Sequence, residues 1–245
     1  MKFYILTILP GYFEGPFREG VLGKAVQRGD VKIEIVNIRD FADDPHRTVD
    51  DTPYGGGEGM VLKPEPVVKA IESVRNNEKK QRVIAMTPAG RLLNHAIVRE
   101  LSEFEEIIIV CGRYEGIDER VLEYFCDDLI SIGDYVLTGG EPAAVVLIDA
   151  VSRFVPGVVG NRKCVEEDSF SRGLLDYPQW TRPAVFRGIP VPEVLLSGNH
   201  KEIRKWRMMK AIERTLKRRP EIIREDLLTE EEREILKHLK VRLGK

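Results

Sequence analysis

Three glycine-bearing turns in the middle of the chain offer backbone groups that could bind a ligand. Two of them follow short apolar runs, Ile107–Cys111 and Leu129–Ile132, whose length and β-branched content predict buried strands. These turns span Cys111–Gly116 and Ser131–Tyr135, and the third, Thr138–Pro142, precedes an apolar helical segment. Any one of these glycines could simply turn the chain. Because glycine lets backbone groups approach a ligand, and open α/β sheets bind ligands at the carboxyl ends of their strands, three together predict a binding site.

The elements that would position these turns alternate between strand and helix over residues 1–158. Further strands are predicted at residues 3–9, 31–37 and 82–87, and helices at 17–28, 64–76, 94–103 and 142–154. Such alternation is typical of a parallel sheet with helices on both faces. Residues 39–59 are polar, rich in turn formers and without periodicity. A connection of that length predicts a binding loop or lid.

The remainder of the chain predicts a second, small helical domain. Residues 160–172 are polar and patternless, as expected of a linker. No convincing strand follows. Asn199–Glu202 has the order of a helix capping box, and a last helix is predicted to begin at Thr229. We therefore expect domains at 1–159 and 173–245, joined by the linker 160–172.

Charge is nearly balanced overall but uneven along the chain. The formal net charge is −2, so a global field does not indicate nucleic acid. Lys201–Arg219, however, contains nine Lys or Arg residues and two Glu residues. A charge run of this kind is usually a solvated helix face, but it can also steer an anionic partner.

Several classes of protein are excluded by missing motifs. No GxGxxG follows a strand and no GxxxxGK[ST] occurs, which argues against dehydrogenases and P-loop enzymes. The three cysteines form no CxxC pair, which argues against a disulfide framework or a structural zinc site. No stretch is long and apolar enough to span a membrane. We expect a cytoplasmic protein without a membrane partner.

Six longer segments carry a resemblance to a known family. They are, in order, Tyr54–Met60, Cys111–Val121, Ser131–Glu141, Leu147–Gly160, Asp168–Pro183 and Val191–His200. Together they resemble the bacterial tRNA (guanine-N1)-methyltransferases (TrmD), of the trefoil-knotted SPOUT class. The resemblance implies a parallel α/β sheet with helices on both faces and a deep trefoil knot, plus a small helical C-terminal domain that binds tRNA. General rules of chain connection would have predicted an unknotted doubly wound sheet.

The resemblance also implies an activity and partners. The activity would be methyl transfer from S-adenosylmethionine to N1 of guanosine 37 in tRNA, next to the anticodon and preceded by another G. The protein would be a homodimer, with its active site between the amino-terminal domain of one subunit and the linker and helical domain of the other. A requirement for Mg²⁺ is also implied, although no cluster of residues marks a metal site. The alternatives are a knotted methyltransferase acting on a ribose hydroxyl or a ribosomal base, and a non-catalytic RNA-binding homologue.

Two residues would carry the chemistry by this resemblance. Asp168 would remove the N1 proton, and Arg153 would stabilise negative charge at O6. From the residues alone, Asp168 is a linker carboxylate, and Arg153 is a basic helix end that interacts favourably with the helix dipole. An ordinary Asp pKa of about 3.9 makes a weak base, so burial or a nearby cation would have to assist.

Binding residues follow from the same resemblance. The implied cofactor-binding residues are Met86, Thr87, Pro88, Gly112, Glu115, Ile132, Gly133, Asp134, Tyr135, Val136, Leu137, Gly139 and Gly140. Candidate phosphate contacts are Arg113, Lys201, Arg204, Lys205 and Arg207, whereas Trp206 is expected in the core. Two positions depart from the family pattern: Glu58 replaces a proline, and Pro142 stands one position early. Both lie near the cofactor loops and could alter the geometry of the site.

Overall fold

The computed structural model describes residues 1–160 and 168–242. It forms two compact units, Met1–Gly160 and Asn161–Lys245, so the first unit ends one residue beyond the predicted boundary of 159. Part of the predicted linker 160–172, including Cys164, lies outside the described residues.

A five-stranded parallel sheet forms the centre of the first unit. The strands of this unit are β1 (Lys2–Thr7), β2 (Lys32–Asn37), β3 (Asp50–Asp51), β4 (Val61–Leu62), β5 (Gln81–Leu92), β6 (Glu106–Cys111) and β7 (Asp128–Ser131). The main sheet has the order β2-β1-β6-β5-β7, and all of its neighbouring strands are parallel. The two-residue strands β3 and β4 form a separate antiparallel pair.

Helices cover both faces of this sheet, as the sequence predicts. They are α1 (Gly20–Arg28), α2 (Pro64–Val74), α3 (His95–Leu101), α4 (Glu119–Tyr124) and α5 (Glu141–Ser152). Side chains of β6 alternate between the faces: Ile107 and Ile109 belong to the cluster packed by α1, α3 and α5, and Ile108 and Val110 to the cluster packed by α2 and α4. All four are fully buried, so burial on both faces explains why β6 is a continuous apolar run.

Strand β5 extends further than its sequence pattern predicts. The expected strand ends at residue 87 and is followed by a turn, but the chain rejoins the sheet at Arg91 and Leu92. The register against β7 shifts between Met86 and Arg91, because the intervening residues bulge away from the ladder. The local pattern indicates a turn, and pairing with a distant strand restores the extended conformation.

After β7 the chain returns to the centre of the sheet. The amide N–H of Gly140 donates to the carbonyl oxygen of Gly112 at 2.9 Å, and Arg113 forms a β-bridge with Gly139. Residues 132–140 therefore run from the edge strand β7 back to the carboxyl end of β6. This return brings all three glycine-bearing turns to one edge of the sheet.

The second unit is mainly helical, but the prediction that it contains no strand is wrong. Strands β8 (Val185–Phe186) and β9 (Ile189–Pro190) form a short hairpin before the helices α6 (Glu193–Leu196), α7 (His200–Arg218) and α8 (Glu230–Arg242). Two-residue strands are too short to produce a periodic pattern. The capping of α7 is confirmed, since the Asn199 side chain accepts a hydrogen bond from the Glu202 amide.

The core of the second unit consists of leucine and isoleucine side chains. They include Ile212 and Leu216 on α7, and Leu236 and Leu239 on α8. Within residues 1–160 and 168–242, no helix is long and apolar enough to cross a membrane.

Candidate active site

A cavity of about 350 Å³ lies at the carboxyl ends of β5, β6 and β7. Its walls are formed by residues 86–89, 112–117, 119, 122, 129–133, 135–140 and 143. Its volume is within the range of small-molecule sites. Twelve of the thirteen residues that the resemblance implies for cofactor binding line it, and Asp134 does not.

The lining of this cavity is amphipathic. Met86, Ile117 and Ile130 are buried in its interior. Glu115 and Glu119 also line the cavity, and both are exposed, so their carboxylates lie at its rim. An apolar interior suits a flat heterocycle, and carboxylates at the rim suit a cationic group. The cavity therefore offers both an apolar surface for a ring and carboxylates for a positive charge.

Gly140 allows two backbone segments to meet at the base of the cavity. A Cβ atom there would lie 2.9 Å from Cys111 Cα and 3.0 Å from the Gly112 nitrogen. Neither backbone atom can move as a side chain would, so this position requires glycine. Glycine is thus needed for the contact between the turns as well as for their curvature.

The glycine-rich segment 54–60 is fixed against the cavity loop. The Glu115 amide donates to the Met60 carbonyl oxygen at 2.9 Å, and the Leu62 amide donates to the Gly116 carbonyl oxygen at 3.0 Å. Gly59 has a φ of +87°, and a Cβ there would lie 2.5 Å from Glu115 Cγ. The long polar loop predicted from sequence therefore ends against the carboxylate at the rim of the cavity.

A network of polar and charged side chains, which the sequence motifs did not indicate, holds residues 132–140 against the carboxyl end of β6. Glu141, the first residue of α5, is 1% exposed and accepts a hydrogen bond from the Thr7 hydroxyl at 2.8 Å. Arg113 Nε lies 3.8 Å from the other carboxylate oxygen of Glu141, and Arg113 also donates to the Thr138 carbonyl oxygen. The network joins β1, the loop after β6 and the start of α5, so it fixes two cavity walls relative to each other.

Replacing Glu141 with glutamine should weaken this arrangement. The amide can still accept from Thr7 but leaves the Arg113 guanidinium without its negative partner. We expect the free energy of unfolding to fall by about 1–3 kcal/mol, measured by urea denaturation followed by circular dichroism. Glu123→Gln, at an exposed position on α4, is the matched control and should change stability little. Equal midpoints for the two variants would show that the network contributes no stability.

Beneath the cavity, Cys111 is a fully buried thiol. Burial raises its pKa well above the ordinary value, and the negative charge of Glu141 raises it further. A thiol of this kind is protonated at neutral pH and is a poor nucleophile. Within the described residues, no group of three or more His, Cys, Asp or Glu side chains is arranged to hold a metal ion.

The two predicted catalytic residues lie in different units. Arg153 is the exposed C-cap residue of α5. Asp168 begins a turn in the second unit, where its carbonyl oxygen accepts hydrogen bonds from the Ser171 amide at 3.2 Å and the Ser171 hydroxyl at 2.7 Å. This turn fixes the backbone of Asp168 independently of its carboxylate.

The predicted RNA contacts fall into two settings. Lys201, Arg204, Lys205 and Arg207 are all exposed within the first eight residues of α7. Arg113, by contrast, lies in the cavity wall and interacts with Glu141. Sequence reasoning missed this pairing because Glu141 is distant in sequence and resembles an ordinary first-turn carboxylate.

Comparison with known proteins gives a consistent result along the chain. A family model described as tRNA (Guanine-1)-methyltransferase TrmD matches residues 1–225. Proteins named tRNA (guanine-N(1)-)-methyltransferase are similar over nearly the whole length. That of Geobacter sulfurreducens is 56% identical over 96% of this chain and 96% of the relative. That of Geotalea uraniireducens is 55% identical over 98% of this chain and 97% of the relative. That of Pelotomaculum thermopropionicum is 55% identical over 98% of this chain and 96% of the relative.

Proposed function

This chain belongs to the tRNA (guanine-1)-methyltransferase family TrmD, and on that premise we propose that it methylates N1 of guanosine 37 in tRNA with S-adenosylmethionine as donor. The observation that carries the proposal is the family match over residues 1–225, which includes the whole cavity and Asp168. The family has the knotted SPOUT fold, so the predicted knotted α/β class is confirmed. The five-stranded parallel sheet with helices on both faces agrees with this class.

We place the methyl donor in the cavity of the first unit. S-adenosylmethionine has an adenine ring and a cationic sulfonium and ammonium end, which match the apolar interior and the carboxylates of Glu115 and Glu119. Ile132 and Leu137 line the same cavity and can pack against the ring. When bound, the donor supplies an activated methyl group attached to a good leaving group, a neutral thioether.

Asp168 acts as general base in this proposal. N1 of guanine carries a proton, so its lone pair becomes available only as that proton is removed. The carboxylate accepts the proton, and Arg153 stabilises the negative charge that spreads to O6. A cation close to O6 also makes the N1 proton easier to remove, which compensates for the weak basicity of an aspartate.

A second subunit completes the active site in our proposal. The cavity of one subunit receives the methyl donor, and the linker and helical unit of its partner supply Asp168 and the basic face of α7. The target is guanosine 37 preceded by G, displaced from the anticodon loop because its N1 must reach the donor. The family resemblance implies a requirement for Mg²⁺, but the described residues contain no group of three or more His, Cys, Asp or Glu side chains that would hold it. The enzyme acts in the cytoplasm on its tRNA substrate.

Methyl transfer to defined tRNA transcripts tests the proposal. The purified chain is incubated with S-adenosylmethionine and transcripts carrying G36–G37, A36–G37 or G36–A37, and the methylated atom is mapped by mass spectrometry of nuclease digests. We expect 1-methylguanosine only at position 37 of the first transcript. Methyl groups on a ribose, or on another guanosine, would refute the assignment. Repeating the assay after removal of divalent cations tests the Mg²⁺ requirement.

A further inference from the structure

A second cavity, of about 370 Å³, lies entirely within the C-terminal unit. It is lined by the loop before the β8–β9 hairpin, by α6 and by the beginning of α7. Neither the proposed chemistry nor the proposed donor site uses it. Its volume is comparable with that of the donor cavity, so it can hold a group the size of a nucleoside.

Aromatic side chains dominate this second cavity. The chain contains two tryptophans, and both Trp180 and Trp206 line it, together with Tyr177. Trp180 is 46% exposed, and Trp206 is partly buried in the wall rather than enclosed in the core as its sequence position predicts. Aromatic faces left accessible inside a cavity are surfaces on which a planar ligand can stack.

The charge around this cavity is positive. Arg182 and Arg207 line it, and the Arg207 guanidinium lies 4.7 Å from the centroid of the Tyr177 ring. Among the described residues, no Asp or Glu side chain contributes to the lining. The exposed Lys201 and Arg204 continue the positive surface along α7. A purely apolar partner would leave these arginines without a function, whereas an anionic planar ligand matches both features.

We propose that this cavity binds an unpaired nucleotide of the tRNA substrate, distinct from the guanosine that is methylated. The base stacks on Trp180 and Trp206, and its phosphate lies beside Arg182 and Arg207. Single-stranded RNA is commonly held in this way, by aromatic stacking combined with arginine contacts to the backbone. The inference rests on the proposed function, because it takes tRNA as the substrate.

Intrinsic fluorescence provides a direct test, since all tryptophan emission comes from this cavity. Unmodified tRNA transcript is titrated into the full-length wild-type protein and the single-tryptophan variants Trp180→Phe and Trp206→Phe. We expect tRNA to quench the emission of each variant and to protect it from acrylamide. The inference would be overturned if the emission shifted with protein concentration in the absence of RNA and did not change when tRNA was added. That result would assign the cavity to a contact between protein molecules.

Affinity measurements test the energetic contribution of stacking. Trp180→Ala should weaken tRNA binding by roughly 5- to 150-fold, the range for loss of one stacked base, whereas Trp180→Phe should retain most of the affinity. Tyr124→Ala removes a 74% exposed aromatic from α4 in the other unit and is the matched control. Far-UV circular dichroism and urea denaturation should be close to those of wild type in all three variants, which verifies that both units are folded, and binding of S-adenosylmethionine should be unchanged.

The outcomes separate this inference from the proposed function. If tRNA is methylated at guanosine 37 but quenches neither tryptophan, or if Trp180→Ala binds tRNA as tightly as wild type, the nucleotide cavity is refuted and the methyltransferase assignment stands. If tRNA quenches and protects both tryptophans but no methyl group is transferred, the cavity is supported and the proposed reaction fails.

Discussion

Replacing Asp168 with asparagine is expected to lower the rate of methyl transfer by about 10²–10⁴-fold, the usual contribution of a general base. Asparagine has the shape of aspartate but cannot accept the N1 proton at neutral pH. The turn should persist, because the Asp168 carbonyl oxygen bonds to Ser171, and the Asp176 amide donates to the Ser169 hydroxyl at 2.9 Å. Affinity for S-adenosylmethionine should therefore remain close to that of wild type.

Single-turnover kinetics with saturating donor and tRNA measure this effect on the chemical step. The residual rate of Asp168→Asn should rise with pH, because hydroxide replaces the missing base. Asp226→Asn, which loses an exposed ion pair with Arg224 in the same unit, is the control and should keep the wild-type rate. A normal single-turnover rate in Asp168→Asn would remove Asp168 from the mechanism.

Mixing Asp168→Asn with Glu115→Gln tests whether Asp168 acts across the subunit interface. Glu115→Gln removes a carboxylate proposed to face the cationic end of the donor, so we expect it to be impaired in donor binding and activity. Asp168→Asn subunits keep an intact donor cavity, and Glu115→Gln subunits keep an intact base. If each site combines the cavity of one subunit with Asp168 of its partner, hybrid dimers contain one complete site and recover activity. If cavity and base belong to the same subunit, no hybrid contains a complete site and mixing restores nothing.

The features predicted correctly from sequence are those fixed by local pattern. The buried strand β6 reads as a continuous apolar run, and α7 begins where the Asn199 cap predicts. The clustering of the glycine turns follows from the rule that parallel strands direct their carboxyl ends to one edge. The position of the cavity at the carboxyl edge of the sheet could therefore be predicted from the pattern of residues, whereas its individual cofactor-binding residues were implied by the family resemblance.

The features that sequence reading missed depend on long-range contacts or on very short elements. Helix α4 has only six residues, too few for an amphipathic pattern. The pairing of Arg113 with Glu141 requires the return of the chain to β6. The cavity around Trp206 is built by a loop, α6 and the beginning of α7, so the helical spacing of this tryptophan alone predicts a core position.

Gly90→Ala is the substitution expected to damage the first unit most. An added Cβ would lie 2.3 Å from the Ile130 nitrogen and 2.4 Å from the Leu129 carbonyl carbon, where β5 bulges against β7. Both are backbone atoms of the edge strand β7, which is paired with β5, so relief requires separating the two strands. We expect the free energy of unfolding to fall by about 3 kcal/mol or more, at the upper end of the range for overpacking.

Gly90→Ala should also lose binding of S-adenosylmethionine. Met86, Ala89 and Ile130, which lie beside the contact between β5 and β7, line the donor cavity. Urea denaturation and calorimetric titration with S-adenosylmethionine measure the two effects. Gly15→Ala, where an added Cβ meets no atom within 4 Å, is the matched control. If Gly90→Ala were as stable as this control and bound the donor normally, β5 and β7 could not approach as closely as described. The cavity would then have to form without the bulge at residues 87–90, since that bulge brings Thr87–Ala89 to the site.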